Sequence, residues 1–147
     1  MKTRDIMTTQ PATVSPSDSI LTAARSMRAR GVGMMPVVDS PSTMRLMGVI
    51  TDRDITIRCV AEGHNANCTV GEHMTTSPLT TAKPGDSVDA LAKKMESARV
   101  RRVPVVETGD RLVGIVAQAD LATKVGTVDA KLVEEVLATI SAPIGVA

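Results

Sequence analysis

A short turn in the first half of the chain carries a hydroxyl and carboxylates at a spacing that suits sugar binding. It reads Gly48-Val-Ile-Thr51-Asp52-Arg53-Asp54, where an apolar run gives way to a polar helix start. Gly48 permits close approach of another backbone segment. Asp54 would lie in the first helical turn, where its carboxylate can accept hydrogen bonds from a cis-diol such as that of ribose. The alternative is that Thr51 and Asp54 only cap the helix.

Two adjacent arginines offer the positive charge that a phosphate requires. Arg101 and Arg102 stand directly before Val103-Pro-Val-Val106, an apolar, β-branched segment that predicts a strand. Guanidinium groups bind phosphate oxygens through paired hydrogen bonds. The alternative for both arginines is a solvated strand edge.

All the cysteines and histidines of the chain fall in one window. Cys59, His64, Cys68 and His73 offer two thiols and two imidazoles, a ligand set that zinc accepts. Their spacing lacks the closely paired cysteines of structural zinc sites, so we expect no metal site. The simpler interpretation is a buried Cys59 on a helix, with the other three side chains on an exposed linker. A Cys59–Cys68 disulfide is a further alternative, which a cytosolic compartment disfavours.

The composition excludes several classes of function. The 147 residues are 43% hydrophobic and 22% charged, carry a net charge of +1, and include no Phe, Tyr or Trp. Single-stranded nucleic-acid binders and RNA-recognition sheets stack bases on aromatic side chains, so neither class fits. Any planar ligand must lie between aliphatic side chains and backbone.

Neither a membrane span nor an enzyme is predicted. No long apolar run occurs, and the opening MKTRDIMTT lacks the apolar core of a signal peptide, so we expect a soluble, cytoplasmic protein. The chain has no G-x-S-x-G, P-loop or H-E-x-x-H motif, and we therefore expect no catalysis. Its 17 basic residues are nearly balanced by 16 acids, which favours a solvated surface over contact with DNA.

The chain repeats itself at an offset of about 67 residues. Four blocks recur in order: Asp5–Pro11 as Glu72–Pro78, Pro16–Ile20 as Pro84–Val88, Met35–Val38 as Val103–Val106, and Arg45–Asp54 as Arg111–Asp120. The sequence therefore predicts two copies of one unit, over 1–64 and 65–126, followed by a tail over 127–147. Residues 63–69 form the polar linker between the copies.

Each copy predicts the order strand, helix, strand, strand, helix. The brief first strands fall at 12–14 and 79–81. Asp18 or Ser19 caps the next helix, whose apolar face has helical spacing in both copies: Ile20, Ala23, Ala24 and Met27, then Val88, Leu91, Ala92 and Met95. Pro36 and Pro104 suit the first residues of strands. Leu46–Ile50 and Leu112–Val116 predict the next strands, and second helices begin at Thr51 and after Asp120.

The tail predicts an amphipathic helix. Thr127 and Asp129 would cap it, and its apolar residues are Val128, Leu132, Val133, Val136, Leu137 and Ile140. Packing on its own chain and contact with a second copy are equally open. Because each unit alone leaves an apolar face uncovered, the fold class we expect is α+β, with two βαββα units packed with pseudo-twofold symmetry.

Taken together, the repeated blocks resemble the cystathionine-β-synthase (CBS) domain. The features that carry the resemblance are the leading Met-Thr-x-x-Pro, the capped helix, the Pro-Val-Val strand and the Gly-h-h-Thr-x-x-Asp turn, where h is a hydrophobic residue. They cover residues 1 to about 125. The Thr-Asp-Arg-Asp turn, the Val-Arg-Arg-Val-Pro-Val segment and the C-terminal Ser-x-Pro also resemble small bacterial CBS pairs of the hypoxic-response-protein type.

The resemblance implies a regulatory, non-catalytic module that binds an adenosine-containing ligand in the clefts between paired units. It assigns seven residues to one nucleotide site: Thr51 and Asp54 for ribose, Arg101 and Arg102 for phosphate, and Val49, Leu79 and Thr80 for adenine. The second cleft would use Asp120, Ile115, Thr13 and Met34. It loses the hydroxyl at Ala117 and faces a segment without a cation, so we expect it to be weak, empty or limited to nucleosides.

Two functions therefore stand side by side. The first is a regulatory module sensing an adenine nucleotide, with AMP or ATP ahead of NAD or S-adenosylmethionine, and passing its state to an unknown effector protein. The second is an interaction or stress-response protein whose clefts stay empty. We expect a homodimer in either case, no obligatory cofactor, and neither nucleic acid nor membrane as partner.

Overall fold

A computed structural model of the chain describes residues 1–126 and 129–142. Within these residues the α-helical segments are α1 Thr3–Ile6, α2 Ile20–Arg30, α3 Asp52–Asp54, α4 Val70–His73, α5 Val88–Ala98, α6 Gln118–Asp120 and α7 Ala130–Ser141. The strands are β1 Thr8–Thr9, β2 Met34–Val38, β3 Leu46–Thr51, β4 Arg102–Glu107 and β5 Arg111–Ala117. π-Helical turns over Ile55–Val60 and Leu121–Val125 continue α3 and α6, and Thr108–Asp110 forms a 3-10 turn.

The chain folds into two compact units that are not contiguous in sequence. The unit called central here comprises Pro11–Leu79 and Thr108–Leu112. The unit called flanking comprises Met1–Gln10, Thr80–Glu107 and the described residues from Val113 onward. The leading segment of each repeat thus belongs to the unit built mainly from the other repeat. The predicted α+β class and its two repeats are confirmed.

The central unit is built on the antiparallel pair β2 and β3, in which Met34 lies opposite Thr51. Val14 adds a parallel bridge to Val37, and Thr75 exchanges backbone hydrogen bonds of 2.8 and 3.0 Å with Val49. One side of this sheet packs on α2. Its core consists of Val14, Ile20, Ala23, Met27, Met35, Val37, Ile50, Cys59 and Val70.

The flanking unit repeats this plan with a sheet in the order β1-β5-β4. Thr8 lies opposite Ile115, and Ala82 bridges to Val105 in parallel, as Val14 does to Val37. The core includes Ile6, Leu91, Met95, Val105, Val116 and Leu121. The equivalence of the two sheets follows from the sequence repeat.

The predicted C-terminal helix is confirmed as α7, and it packs on its own chain. Val133, Val136 and Ile140 join the core of the flanking unit. Thr139 Oγ1 donates to Glu96 Oε1 at 3.1 Å, which ties α7 to α5. Asp129 caps the helix by accepting a 3.0 Å bond from the Leu132 N–H. The predicted roles of Thr127 and Val128 lie outside the described residues.

Local sequence accounts for where α2 and α5 begin and for where α2 ends. Ser19 and Ser87 each accept a hydrogen bond from the backbone N–H three residues on, at 3.0 and 3.1 Å, which makes them the N-caps. Asp18 is not the cap, because its carboxylate accepts from the Ser15 N–H in the preceding turn. Gly31 ends α2 in the left-handed conformation that glycine adopts at little cost.

The prediction that prolines open the strands is wrong by two residues, since β2 begins at Met34 and β4 at Arg102. Pro36 lies opposite Val49, whose own N–H and C=O bond to Thr75 rather than to β2. A missing N–H at Pro36 therefore breaks no hydrogen bond in the β2–β3 ladder. The Pro36 carbonyl still accepts from the Val14 N–H at 3.1 Å.

Candidate functional site

The Thr51–Asp54 turn of the central unit forms where β3 passes into α3. The Thr51 N–H donates to Asp54 Oδ2, and the Asp54 N–H donates to Thr51 Oγ1, both at 3.0 Å. This reciprocal pair is a capping box, so the capping role that the sequence left open is present. Asp54 is 8% exposed, although it is a carboxylate. A carboxylate buried to this degree needs several partners.

Two of these partners were missed by sequence reasoning. The Thr75 hydroxyl lies 3.3 Å from both carboxylate oxygens of Asp54, and the Arg58 Nε lies 3.6 Å from Oδ1. Arg58 follows Asp54 by one helical turn, a spacing that the sequence displays. Thr75 belongs to the repeated Met-Thr-Thr-x-Pro block, but nothing in its spacing indicates that it meets Asp54.

The turn retains capacity for a ligand. A carboxylate offers about four acceptor positions. Oδ2 receives the Thr51 N–H, the Thr75 hydroxyl is shared between both oxygens, and Arg58 approaches Oδ1 beyond hydrogen-bond distance. Acceptor positions on Asp54 therefore remain beyond those that the cap uses.

Gly48 is required by the close approach of Thr75 to β3. A Cβ at position 48 would lie 2.5 Å from the Thr75 carbonyl oxygen, which is shorter than any ordinary contact. The close approach predicted for this glycine is thus made by the segment that also brings the Thr75 hydroxyl to Asp54.

The equivalent turn of the flanking unit keeps its carboxylate but not its hydroxyl. The Ala117 N–H donates to Asp120 Oδ2 at 2.8 Å, while Ala117 offers no side-chain acceptor to the helix. Lys124 Nζ lies 3.1 Å from Asp120 Oδ1 and donates to the Ile6 carbonyl at 2.7 Å. Lys124 therefore stands one helical turn after Asp120, as Arg58 does after Asp54. The second helix of this repeat begins at Gln118, three residues before the predicted start after Asp120.

The other predicted site residues divide between the units. In the central unit, Val49 lies beside Thr51 on β3, Met34 lies opposite Thr51, and Leu79 and Thr13 are half-buried. In the flanking unit, Arg101 is exposed just before β4, Arg102 and Thr80 are half-buried, and Ile115 is buried on β5. The Arg101 carbonyl accepts from the Gln118 N–H at 2.9 Å, which joins the arginine segment to the turn containing Asp120.

The cysteines and histidines come together within the central unit. The Sγ atoms of Cys59 and Cys68 and a ring nitrogen of His73 all lie within 4.8 Å of one another. His64 Nδ1 lies 3.4 Å from His73 Nε2. Burial, and then the neighbouring Cys68, raise the pKa of the Cys59 thiol.

The interpretation of these residues as an exposed linker is wrong for two of them. His73 is 5% exposed and Cys68 is half-buried, and only His64 is exposed as expected. The reason lies in the repeat, because His73 stands where Ile6 stands in the other copy. Ile6 is a core residue at 1% exposure. Burial of Cys59 is confirmed.

Comparison with known proteins gives one family over both repeats. The family model of the CBS domain matches residues 4–60 and 70–126. CBS domain-containing protein YhcV of Bacillus subtilis is 42% identical over 119 residues, which cover 81% of each chain.

Among the helices of the described residues, none is long and apolar enough to cross a membrane.

Two solved structures share the fold. A crystal structure of hypoxic response protein I with two coordinated zinc ions is 36% identical, with a TM-score of 0.74, covering 83% of this chain and 97% of that one. The CBS domain pair of protein MJ0100, in complex with 5-methylthioadenosine and S-adenosyl-L-methionine, is 31% identical. It has a TM-score of 0.75 and covers 86% of this chain and 97% of the other. With a family match over both repeats and such relatives, the chain belongs to the CBS domain family and carries two CBS domains.

Proposed function

We propose that this CBS pair is a regulatory module that binds an adenosine-containing nucleotide, with Thr51 and Asp54 holding the ribose. The observation that carries the proposal is the Thr51–Asp54 turn. It presents a largely buried carboxylate, oriented by the Thr51 N–H and the Thr75 hydroxyl, with acceptor capacity left for a diol. A carboxylate whose orientation is already set loses little entropy when the ligand binds.

The comparisons support the adenosine part of this ligand. The MJ0100 pair, at 31% identity, binds two molecules that both contain adenosine. AMP and ATP remain our first candidates, with NAD and S-adenosylmethionine after them. The chain contains no Phe, Tyr or Trp. Adenine would therefore lie against aliphatic groups, for which we propose Val49, Leu79 and the Thr80 methyl.

For the phosphate we propose Arg101 and Arg102. Arg101 is exposed and Arg102 is half-buried at the start of β4, and no salt bridge of either is found among the described residues. Guanidinium groups in this state are available to an anion and provide paired hydrogen bonds.

A second, weaker site is proposed around Asp120, with Ile115, Thr13 and Met34. Lys124 Nζ lies 3.1 Å from Asp120 Oδ1, whereas Arg58 Nε lies 3.6 Å from Asp54 Oδ1, so an acceptor position that Arg58 leaves open is occupied at Asp120. The missing hydroxyl at position 117 removes one group that could orient a ribose. Binding at this site should therefore require higher ligand concentration.

A nucleotide panel tests the proposal directly. Adenosine, AMP, ATP, NAD, S-adenosylmethionine and 5-methylthioadenosine are each titrated by calorimetry, which needs no aromatic signal, and thermal unfolding is followed by circular dichroism. A ligand at a hundred times its Kd should add about 2.7 kcal/mol to the free energy of unfolding. GMP is the matched control, with the same ribose phosphate on another base. The proposal would be contradicted if no adenosine compound, at millimolar concentration, gave either a heat of binding or a change in stability.

One observation favours the alternative function, an interaction or stress-response protein whose clefts stay empty. Asp120 keeps its capping bond to the Ala117 N–H although the paired hydroxyl is gone. The capping bond alone is therefore a sufficient role for the carboxylate at Asp120. Asp54 makes the same bond, so capping is a sufficient role there too. Under this alternative no compound of the nucleotide panel binds, while the chain still binds a protein partner.

Some expectations remain predictions. They are the cytoplasmic location, the homodimer, the effector protein and the lack of catalysis. Sedimentation of the protein, with and without the ligand found in the panel, tests the homodimer.

A further inference from the structure

A cluster of soft ligands occupies a buried corner of the central unit, apart from the Thr51–Asp54 turn. Cys59 lies on the π-helical turn Ile55–Val60 and is 1% exposed, and His73 ends α4 at 5% exposure. Cys68 lies on the intervening loop and is half-buried. These three side chains come from separate parts of the chain, and they converge on one point.

The distances within the cluster approach those of a metal centre. The two Sγ atoms and a His73 ring nitrogen all lie within 4.8 Å of one another. With Zn–S near 2.3 Å and Zn–N near 2.0 Å, two sulfurs on one tetrahedral zinc ion lie about 3.8 Å apart. A contraction of at most about 1.3 Å therefore brings the three atoms to coordinating distance.

His64 lies next to this cluster through its contact with His73. Its Nδ1 lies 3.4 Å from His73 Nε2, with the ring centroids 5.2 Å apart. Two imidazole nitrogens on one tetrahedral zinc ion lie about 3.3 Å apart. The ring is exposed, but its loop is held by a 3.0 Å bond from the His64 N–H to the Cys59 carbonyl.

The other repeat shows that this corner does not need such residues for folding. The positions of Cys59 and His73 correspond to Val125 and Ile6, which are 3% and 1% exposed in the core of the flanking unit. Aliphatic side chains fill the same corner there. Burying an imidazole in place of isoleucine has a free-energy cost unless it has a partner. Among the described residues, the hydrogen-bond partner found for the His73 side chain is His64.

We propose that Cys59, Cys68 and His73, with His64 as the fourth ligand, bind one Zn²⁺ ion per chain. Two thiols lose their protons to solvent on binding, and both imidazoles coordinate as neutral rings. The ion links the end of the first sequence repeat to the start of the second, all within the central unit. Its role is structural, because four protein ligands leave no open coordination position.

Cobalt substitution tests the site with a direct spectroscopic readout. The untagged full chain is reduced, stripped of metal with a chelator, and titrated with Co²⁺ and then with competing Zn²⁺. We expect one Co²⁺ per chain, with thiolate-to-cobalt charge-transfer bands and the intense visible absorption of a tetrahedral centre. The chain has no Phe, Tyr or Trp, so its near-ultraviolet background is low.

Two variants test individual ligands, and a third serves as the control. Cys68→Ser should lose about half of the charge-transfer intensity and at least roughly 100-fold in Zn²⁺ affinity, and His64→Gln roughly 10- to 100-fold. Asn67→Ala, in the same exposed loop, is the matched control and should bind as the wild type does. Circular dichroism reports whether each variant is folded, and His64→Gln, at an exposed position, serves if Cys68→Ser does not fold.

Several results would overturn the proposal. They are a weak, octahedral cobalt spectrum in the folded wild type, Zn²⁺ affinity unchanged in Cys68→Ser, or a Cys59–Cys68 disulfide whose reduction restores no metal binding. Unchanged affinity in His64→Gln would remove His64 from the ligand set. These readouts involve no nucleotide, so they are independent of the function proposed above.

Discussion

Thr51 and Asp54 exchange two hydrogen bonds of equal length, 3.0 Å each, between the backbone N–H of one and the side-chain oxygen of the other. The pair therefore serves the fold whether or not it also serves a ligand. Any test of the nucleotide site has to separate these two roles. Asp120 of the flanking unit can serve as the control for the capping role, because it makes the same backbone contact without a paired hydroxyl.

Asp54→Ala should lower nucleotide affinity about 10- to 100-fold, because the acceptor for the ribose diol is lost. The same change removes the Asp54 half of the capping box while the Thr51 cap remains, which costs about 1 kcal/mol of stability. Calorimetric titration measures the affinity, and thermal unfolding measures the stability. Asp120→Ala is the control, with a similar loss of stability and little change at the stronger site. Equal affinities for wild type and Asp54→Ala would refute the ribose assignment.

Replacing both Arg101 and Arg102 by Gln should weaken AMP binding about tenfold or more and leave adenosine binding nearly unchanged, since only the phosphate needs the charge. Competition with a labelled nucleotide measures both affinities. Arg30→Gln, an exposed arginine at the end of α2, controls for the loss of general positive charge. Parallel losses for AMP and adenosine would show that the arginines act on the fold rather than on the phosphate.

Gly48→Ala should destabilise the chain by about 1–3 kcal/mol, because the new methyl group would meet the Thr75 carbonyl oxygen at 2.5 Å. Gly114→Ala should cost less. The nearest atom to the new methyl group, at 2.6 Å, is the Sδ of Met7, and this flexible side chain can move away. Gly85→Ala meets nothing within 4 Å and should be nearly neutral. Denaturant unfolding ranks the three variants, and any other order would contradict this account.

Asp86 should give the free energy of unfolding a dependence on acid pH. The Lys83 N–H and then the Lys94 ammonium, both 3.0 Å from Oδ2, lower the pKa of this carboxyl below its usual range. Ionised Asp86 therefore stabilises the folded state at any pH above the pKa that this carboxyl has in the unfolded chain. This stabilisation is lost as the pH falls through the lower pKa of Asp86 in the folded chain.

Asp86→Asn should therefore be less stable than the wild type at neutral pH, and the gap should close as the pH falls below about 4. Denaturant unfolding at a series of pH values measures the gap. Adding Lys94→Met to both proteins is the control, and it should narrow the gap without removing it, because the Lys83 bond remains. A gap of constant size across this range would count against the charge as its cause.

Local sequence was sufficient to predict much of the fold. The repeat shows in blocks that recur about 67 residues apart. The apolar faces of α2 and α5, an N-cap at Asp18 or Ser19, and the amphipathic α7 follow from residues a few positions apart. The helical period and the capping hydrogen bond act over the same short distance. The capping alternative for Thr51 and Asp54 was likewise visible, since both residues lie in one turn.

Only the tertiary structure decided which distant segments meet. That residues 1–10 pack with the second repeat, that Thr75 reaches Asp54, and that His73 is buried beside Cys59 and Cys68 all depend on the path of the chain. In sequence, the two cysteines and two histidines looked too irregularly spaced for a metal site. A ligand set is defined by distances in space, and a loop that returns on itself brings such residues together whatever their spacing along the chain.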